Sequence, residues 1–156
     1  MQIKHSDIIA LGIIIFLSIS GSVVIAENII WYQSILLPSY VPSGAMIGSI
    51  WSMVYLFTFF SIVNIVRSNL SKKVLDRITG LFVINALAHF LWSFLFFRFH
   101  LFGASFIDTI IIALTAIGLV GYLWSKARMT AYLMLPYAIW ASLVLGASWH
   151  LYLMNT

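Results

Sequence analysis

Five uninterrupted apolar runs, at about 7–26, 43–66, 79–97, 103–124 and 130–153, dominate this 156-residue chain, each bounded by charged or turn-forming residues. A helix needs about 20 predominantly apolar residues to cross the hydrocarbon core of a bilayer, and every run is of that order. The runs are continuous, whereas the strands of a transmembrane barrel alternate residue by residue. Composition closes the soluble alternatives. Only 8% of the residues are charged and 63% are hydrophobic, against about 25% charged in a soluble domain. Disorder is excluded as well, because disordered chains lack the aliphatics and aromatics that fill this one. The expectation is an all-α integral membrane protein, a single domain over 1–156 built as a five-transmembrane-helix bundle.

The basic residues orient it. On a five-span layout Lys4, Arg67, Lys72, Lys73, Arg77, Lys126 and Arg128 fall on one side and Arg98 on the other. The positive-inside rule then puts the N-terminus in the cytoplasm and the C-terminus outside. A pI near 9.6 therefore reports orientation in the bilayer and calls for no nucleic-acid partner. Lys4 and the run Ile8–Ile19 also resemble a signal peptide. Against cleavage, Asp7 interrupts the basic segment, and Ser18, Ser22 and Ala26 form a small-residue stripe suited to close helix packing. Residues 7–26 are thus read as a retained span.

The longest connection, 27–42, carries Trp31, Tyr32, Tyr40, Pro38 and Pro42. Loops of this length in a compact protein tend to be functional, so it reads either as a lid or as an interfacial aromatic belt. Inside the spans, polar groups are costly and mark functional positions by default. Asn85 and His89 share one face of the third span, and Asp108 lies about a turn inside the fourth. Interhelical hydrogen bonding is the plainer role for the first two. For Asp108 the plainer roles are capping, a pair with Arg98, or a contact with a loop. The chain has no cysteine, and its four histidines show no i, i+4 pair, so no metal site of its own is expected. No Ser/His/Asp grouping or phosphate-cradling glycine loop is present either.

Aromatics are in surplus: six Trp, seven Tyr and twelve Phe. Trp51 and Tyr55 share a helix face, and Trp92 and Trp140 lie within spans, where an indole N–H must find a partner. Gly44, Gly48 and Ser52 form one smooth ridge, and Ala138, Ser142 and Gly146 another. Each ridge is either a helix seam or a place where backbone approaches a ligand.

These residues also form a pattern. Trp31-Tyr32, Pro38-Ser39-Tyr40-Val41-Pro42, Trp51 and Tyr55 resemble the WYxxLxKPxWxPP…VWxxLY segment of the translocator protein family. That family is also called TspO/MBR, the tryptophan-rich sensory proteins or peripheral-type benzodiazepine receptors. Trp92–Phe97, Gly103 and Asp108 resemble its AWxPxFFG…G…D pattern, and Pro136-Tyr137-Ala138-Ile139-Trp140 its PYxxW motif. The likeness runs in order from about residue 31 to 142. Departures are Leu37 for the usual Lys, Tyr40 for Trp, Ser43 for Pro, His89 for Asn, Arg98 for Gly and Ser148 for Asn. The tail after Trp149 has no Lys or Arg, so the family's sterol-recognition pattern is absent and sterol binding is not carried over.

The resemblance implies a bacterial-type, homodimeric, multi-pass protein of the cell membrane, with the lipid bilayer as its medium. It implies binding of a porphyrin (protoporphyrin IX or a haem-type tetrapyrrole) and of isoquinoline carboxamide or benzodiazepine-type ligands, with no cofactor required. By motif match, Tyr32, Pro42, Trp51, His89, Trp92, Trp140 and Ser142 would line the pocket, between spans one, two, three and five. Trp51 and Trp140 would be redox neighbours of an excited porphyrin. The functions that follow are a porphyrin sensor or scavenger promoting light- and oxygen-dependent porphyrin breakdown, a transporter of porphyrin or a small lipophile, or a ligand-controlled regulatory partner.

Overall fold

A computed structural model describes Gly21 and residues 23–156; the first expected span, 7–26, lies almost wholly outside the described residues. All regular structure within them is helical. A short helix α1, Ile29–Ser34, precedes the long α2, Gly44–Arg67, and α3, Lys72–Ser93, which runs on as a π-helical turn, Phe94–Arg98. Then come α4, Phe102–Trp124, and α5, Arg128–Asn155. Four segments, Gly44–Arg67, Lys72–Arg98, Phe102–Trp124 and Arg128–Asn155, are long and apolar enough to cross a membrane. At 1.5 Å per residue they reach about 34–42 Å, more than a hydrocarbon core of about 30 Å. The chain is a multi-pass membrane protein.

Most of the long helices' surface points outward, and that surface is apolar: Leu87 is 64% exposed, Leu114 62% and Leu143 60%. In water such faces would be a liability; in lipid they are the solvent boundary. Lipid tails are as apolar as leucine, so burial does little to hold such helices together, and close packing and hydrogen bonds must do it. The α4–α5 seam shows the packing. Ala113, Ala116, Ala131 and Ala141 are all within 1% of full burial, and their small side chains let the two backbones approach. Asn85 shows the hydrogen bonding. Its amide donates to the Ile112 carbonyl (3.0 Å) and to Thr115 Oγ1 (2.7 Å) and accepts from the Tyr137 hydroxyl (2.5 Å). One side chain on α3 thereby ties down α4 and α5.

Three segments depart from the expected outline. α3 starts at Lys72, seven residues before the expected span, because Ser71 can begin a helix and Lys72 and Asp76 pair at i, i+4 (2.9 Å) on its exposed first turns. The hairpin after the third span is entered through a π turn, closed by Phe99 N–H to the Phe94 carbonyl (2.9 Å), and His100 then takes a left-handed φ of 57°. Such a conformation is uncommon outside glycine, though histidine is among the residues enriched there. Finally, the long connection contains α1. It then turns over Pro38–Val41, with Val41 N–H to the Pro38 carbonyl (3.0 Å), and Ser43 caps α2 by accepting from Met46 N–H (3.4 Å).

α3 packs on α4, α4 on α5 and α5 on α2, whereas α2 and α3 make no comparable direct contact. That gap positions the site.

Candidate ligand cavity

The gap between α2, α3 and α5 holds a cavity of about 870 Å³, within the range of about 300–1,000 Å³ typical of small-molecule sites. From α2 it takes the ridge Gly44, Gly48 and Ser52, together with Trp51 and Tyr55. A Cβ added at Gly44 or Gly48 would meet nothing within 4 Å. Among the described residues this ridge therefore faces open space. α3 and its π turn supply His89, Trp92, Phe96 and Phe97, and α5 supplies Trp140, Val144, Ser148 and Leu151. Tyr32, Tyr40 and Pro42 stand at the loop end.

The aromatic side chains brace one another. Trp51 stacks on Tyr55 one turn away (5.7 Å between centroids) and meets His89 (4.6 Å) and Trp140 (6.2 Å) edge-to-face. Trp92 lies parallel to Phe96 at 5.3 Å, and Phe96 meets Phe97 edge-to-face at 4.9 Å. Both phenylalanines are buried although adjacent in sequence, because the π turn changes the angular step between them. Beyond this wall, Trp31 packs on Phe96 and stacks on His100 at 3.8 Å. The strained φ of His100 thus presents its ring to the loop. Burial raises the pKa of the Tyr32 phenol above its ordinary value, so it stays neutral and able to donate.

The loop is fastened to the far end of α5. Asn155 accepts from the Leu36 N–H (2.9 Å) and donates to the Leu36 carbonyl (3.0 Å), while the Tyr40 hydroxyl and His150 Nδ1 lie 2.6 Å apart. Two indole N–H groups of the wall, on Trp92 and Trp140, are buried without a hydrogen-bond partner among the described residues.

A sequence profile of the TspO/MBR family matches residues 8–153. The chain belongs to the TspO/MBR family. Among its relatives are the tryptophan-rich protein TspO of Bacillus cereus, 29% identical over 99% of this chain and 100% of that one, and the uncharacterized membrane protein YtaB of Bacillus subtilis, 30% identical over 80% of each. The protein CrtK of Rhodobacter capsulatus is more distant, at 22% over 75% of this chain and 72% of its own.

Of the residues that the TspO/MBR resemblance singles out, Tyr32, Pro42, Trp51, His89, Trp92 and Trp140 share this one cavity. Ser142 does not. Two residues past Trp140 it lies well around the helix, exposed, and its hydroxyl donates to the Ala138 carbonyl (2.8 Å). Asn85 and His89, expected on one face, serve different neighbours: Asn85 is spent on α4 and α5, and His89 turns to Trp51 and the cavity. Asp108 is 4% exposed, and among the described residues its Oδ2 has no hydrogen-bond partner and no ion pair joins it to Arg98. Sequence reasoning missed Phe96, Val144, Ser148 and Leu151 as wall residues. Their signal is helical spacing: Phe96 follows Trp92 by four, and 144, 148 and 151 continue the face of Trp140.

Proposed function

We propose that this TspO/MBR protein binds a porphyrin in the aromatic cavity, acting as a sensor or scavenger that promotes light- and oxygen-dependent porphyrin breakdown. The observation that carries this reading is the wall: three tryptophans, two phenylalanines and a histidine around about 870 Å³, with no Lys, Arg, Asp or Glu among the described lining residues. A porphyrin is a flat apolar disc with two carboxylates on one edge. The disc suits ring walls, each stacked pair contributing about 0.5–1.5 kcal/mol beyond burial. The carboxylates suit the loop end, where the Tyr32 and Tyr40 hydroxyls stand. The indole N–H groups of Trp92 and Trp140 are donors that the described residues leave unmet. A flat isoquinoline or benzodiazepine-type ligand fits the same wall for the same reasons.

On this reading residues 7–26 form the fifth span and close the cavity beside Gly21 and Ile25, both of which line it. The protein is then a homodimer of five-helix bundles in the cell membrane, with the N-terminus cytoplasmic and the C-terminus outside. Trp51 and Trp140 stand next to the bound ring as redox partners of its excited state.

Free-base protoporphyrin IX titrated into the protein in lipid nanodiscs should quench tryptophan fluorescence saturably in the micromolar range, about −8 kcal/mol. Trp51→Phe and Trp140→Phe keep a ring in the wall but remove the readily oxidised indole. Both should bind porphyrin with a modest loss and bleach it more slowly under light and air. Absence of saturable quenching overturns the binding site. Wild-type bleaching in both variants overturns the redox role.

A further inference from the structure

We propose that the loop 27–42 is a proton-sensitive lid over the cavity. Charging His100 and His150 tightens its hold on the bundle, so acid on the face that carries the loop closes the cavity mouth. The proposal holds whatever the cavity binds.

The lid meets the bundle through an imidazole near each of its ends. Near its start, Trp31 of α1 lies flat on the His100 ring, with centroids 3.8 Å apart and planes 13° from parallel. Near its end, the Tyr40 hydroxyl lies 2.6 Å from His150 Nδ1. Between them the Asn155 amide holds Leu36 through bonds that involve no titratable group. Tyr32 follows Trp31 directly, and Tyr32, Tyr40, Val41 and Pro42 all line the cavity. How firmly the two rings are held therefore sets how firmly these residues cover the mouth.

Both contacts favour the imidazolium. A cation within about 6 Å of an indole face is attracted by the ring quadrupole, and the His100–Trp31 stack is such an arrangement. The left-handed φ of 57° at His100 presents the ring in this orientation. At His150, Nδ1 lies between two oxygens, the Tyr40 hydroxyl at 2.6 Å and the Gly146 carbonyl at 3.1 Å. A carbonyl can only accept, so a bare Nδ1 would face it lone pair to lone pair. Neutral imidazole has one N–H to place on either nitrogen, whereas imidazolium has one on each. Charging the ring thus puts a donor at Nδ1, and the charge strengthens the bond it makes.

The other charged or titratable groups on the elements around the two rings are Glu27, Tyr32, Arg98, Asp108 and Tyr152. Among the described residues none of them forms an ion pair or hydrogen bond with either ring. Arg98, two residues before His100, opposes its charging. It is exposed, as are both rings, so water and salt screen that repulsion. Imidazole is the side chain that changes charge between about pH 5 and 8. Because the charged rings hold the lid better than the neutral ones, closing takes up protons. Closure is then favoured at the acid end of that range and weakens as pH rises through it.

Amide exchange and histidine-ring NMR on the full chain in nanodiscs, from about pH 5 to 8, test this. After correction for the intrinsic pH dependence of exchange, protection across 31–41 should be about three- to tenfold higher at the acid end. Protection in α4 should not change, and the loop transition should coincide with the titration of the His100 and His150 rings. His100→Asn keeps a residue that tolerates the left-handed region, and His150→Gln keeps a donor. Each should lose part of the response, and the double variant all of it. A wild-type loop whose protection is flat, or falls towards acid, overturns the proposal whatever the variants do. So does a transition displaced from both ring titrations, or a folded double variant that keeps the wild-type response.

Discussion

Asn85 and His89 show how much one helical turn decides. Both are polar side chains at membrane depth, four residues apart, and spacing alone places them together. In the fold Asn85 is 6% exposed and hydrogen-bonded on both amide atoms, whereas His89 lines open volume. Removing the Asn85 side chain strands the Tyr137 hydroxyl, itself 5% exposed. An unsatisfied buried donor costs about 1–3 kcal/mol. Asn85→Ala should therefore lower stability by about that amount, with Tyr137→Phe costing less because it removes the stranded donor itself. Thermal or SDS unfolding in detergent measures both. Equal losses in the two variants would mean that Asn85 matters for packing and not for its bonds. At this scale the sequence was informative about residue type and poor on direction. The tryptophans of the wall were legible because their motif spacing carries them. Ser142 lies outside the described cavity lining, on a face of α5 whose direction depends on the neighbours α5 acquires. Ser148 instead reaches inward, 3.3 Å from the Thr109 hydroxyl on α4.

At the scale of elements, apolar run length located four helices to within a few residues at most ends, since lipid imposes both length and composition. What it did not reveal is what happens at their ends. The π turn after Ser93 depends on Phe96 and Phe97 both finding partners in Trp31 and Trp92, contacts that no local pattern encodes. The loop fastening is harder still to foresee, because Leu36 and Asn155 are 119 positions apart. Its consequence is measurable. Asn155 offers two bonds to one exposed residue, each worth about 0.5–1.5 kcal/mol at most, and the Tyr40–His150 contact lies beside them. Asn155→Ala should release the loop locally without unfolding the bundle. Amide exchange across 36–41 is then expected to rise by about tenfold, the equivalent of about 1.4 kcal/mol in local opening, with exchange in α4 unchanged. If the loop exchanges as in wild type, the fastening contributes nothing and Tyr40 and Pro42 stay at the mouth for other reasons.

For the whole molecule, the charges are the legible part and the cavity is not. The structure gathers six of the seven basic residues it describes at one end: Arg67, Lys72, Lys73 and Arg77 around the α2–α3 turn, and Lys126 and Arg128 around the α4–α5 turn. At the other end lie the loop of α1, the His100 turn with Arg98, and the end of α5, joined by Trp31–His100 and Leu36–Asn155. Among the described residues, six Lys and Arg at one end against one at the other give the bundle a physical polarity, the kind of asymmetry a membrane reads. The cavity was invisible beforehand because it arises where α2 and α3 pack only sparsely against each other, a property of how the described helices choose partners. The polarity predicts orientation, and the absence of cysteine makes the test clean. A single cysteine at Ser39, exposed in the loop, should react with a membrane-impermeant maleimide on intact cells. Cysteines at Ser71 and Ser125, exposed at the basic end, should react only after the membrane is opened. The position of the N-terminus decides the span count. If residues 7–26 cross the membrane, a cysteine at Ser6 follows Ser71 and Ser125. If they do not, it follows Ser39, and the cavity beside Gly21 and Ile25 must then be closed from the lipid by something other than a fifth span.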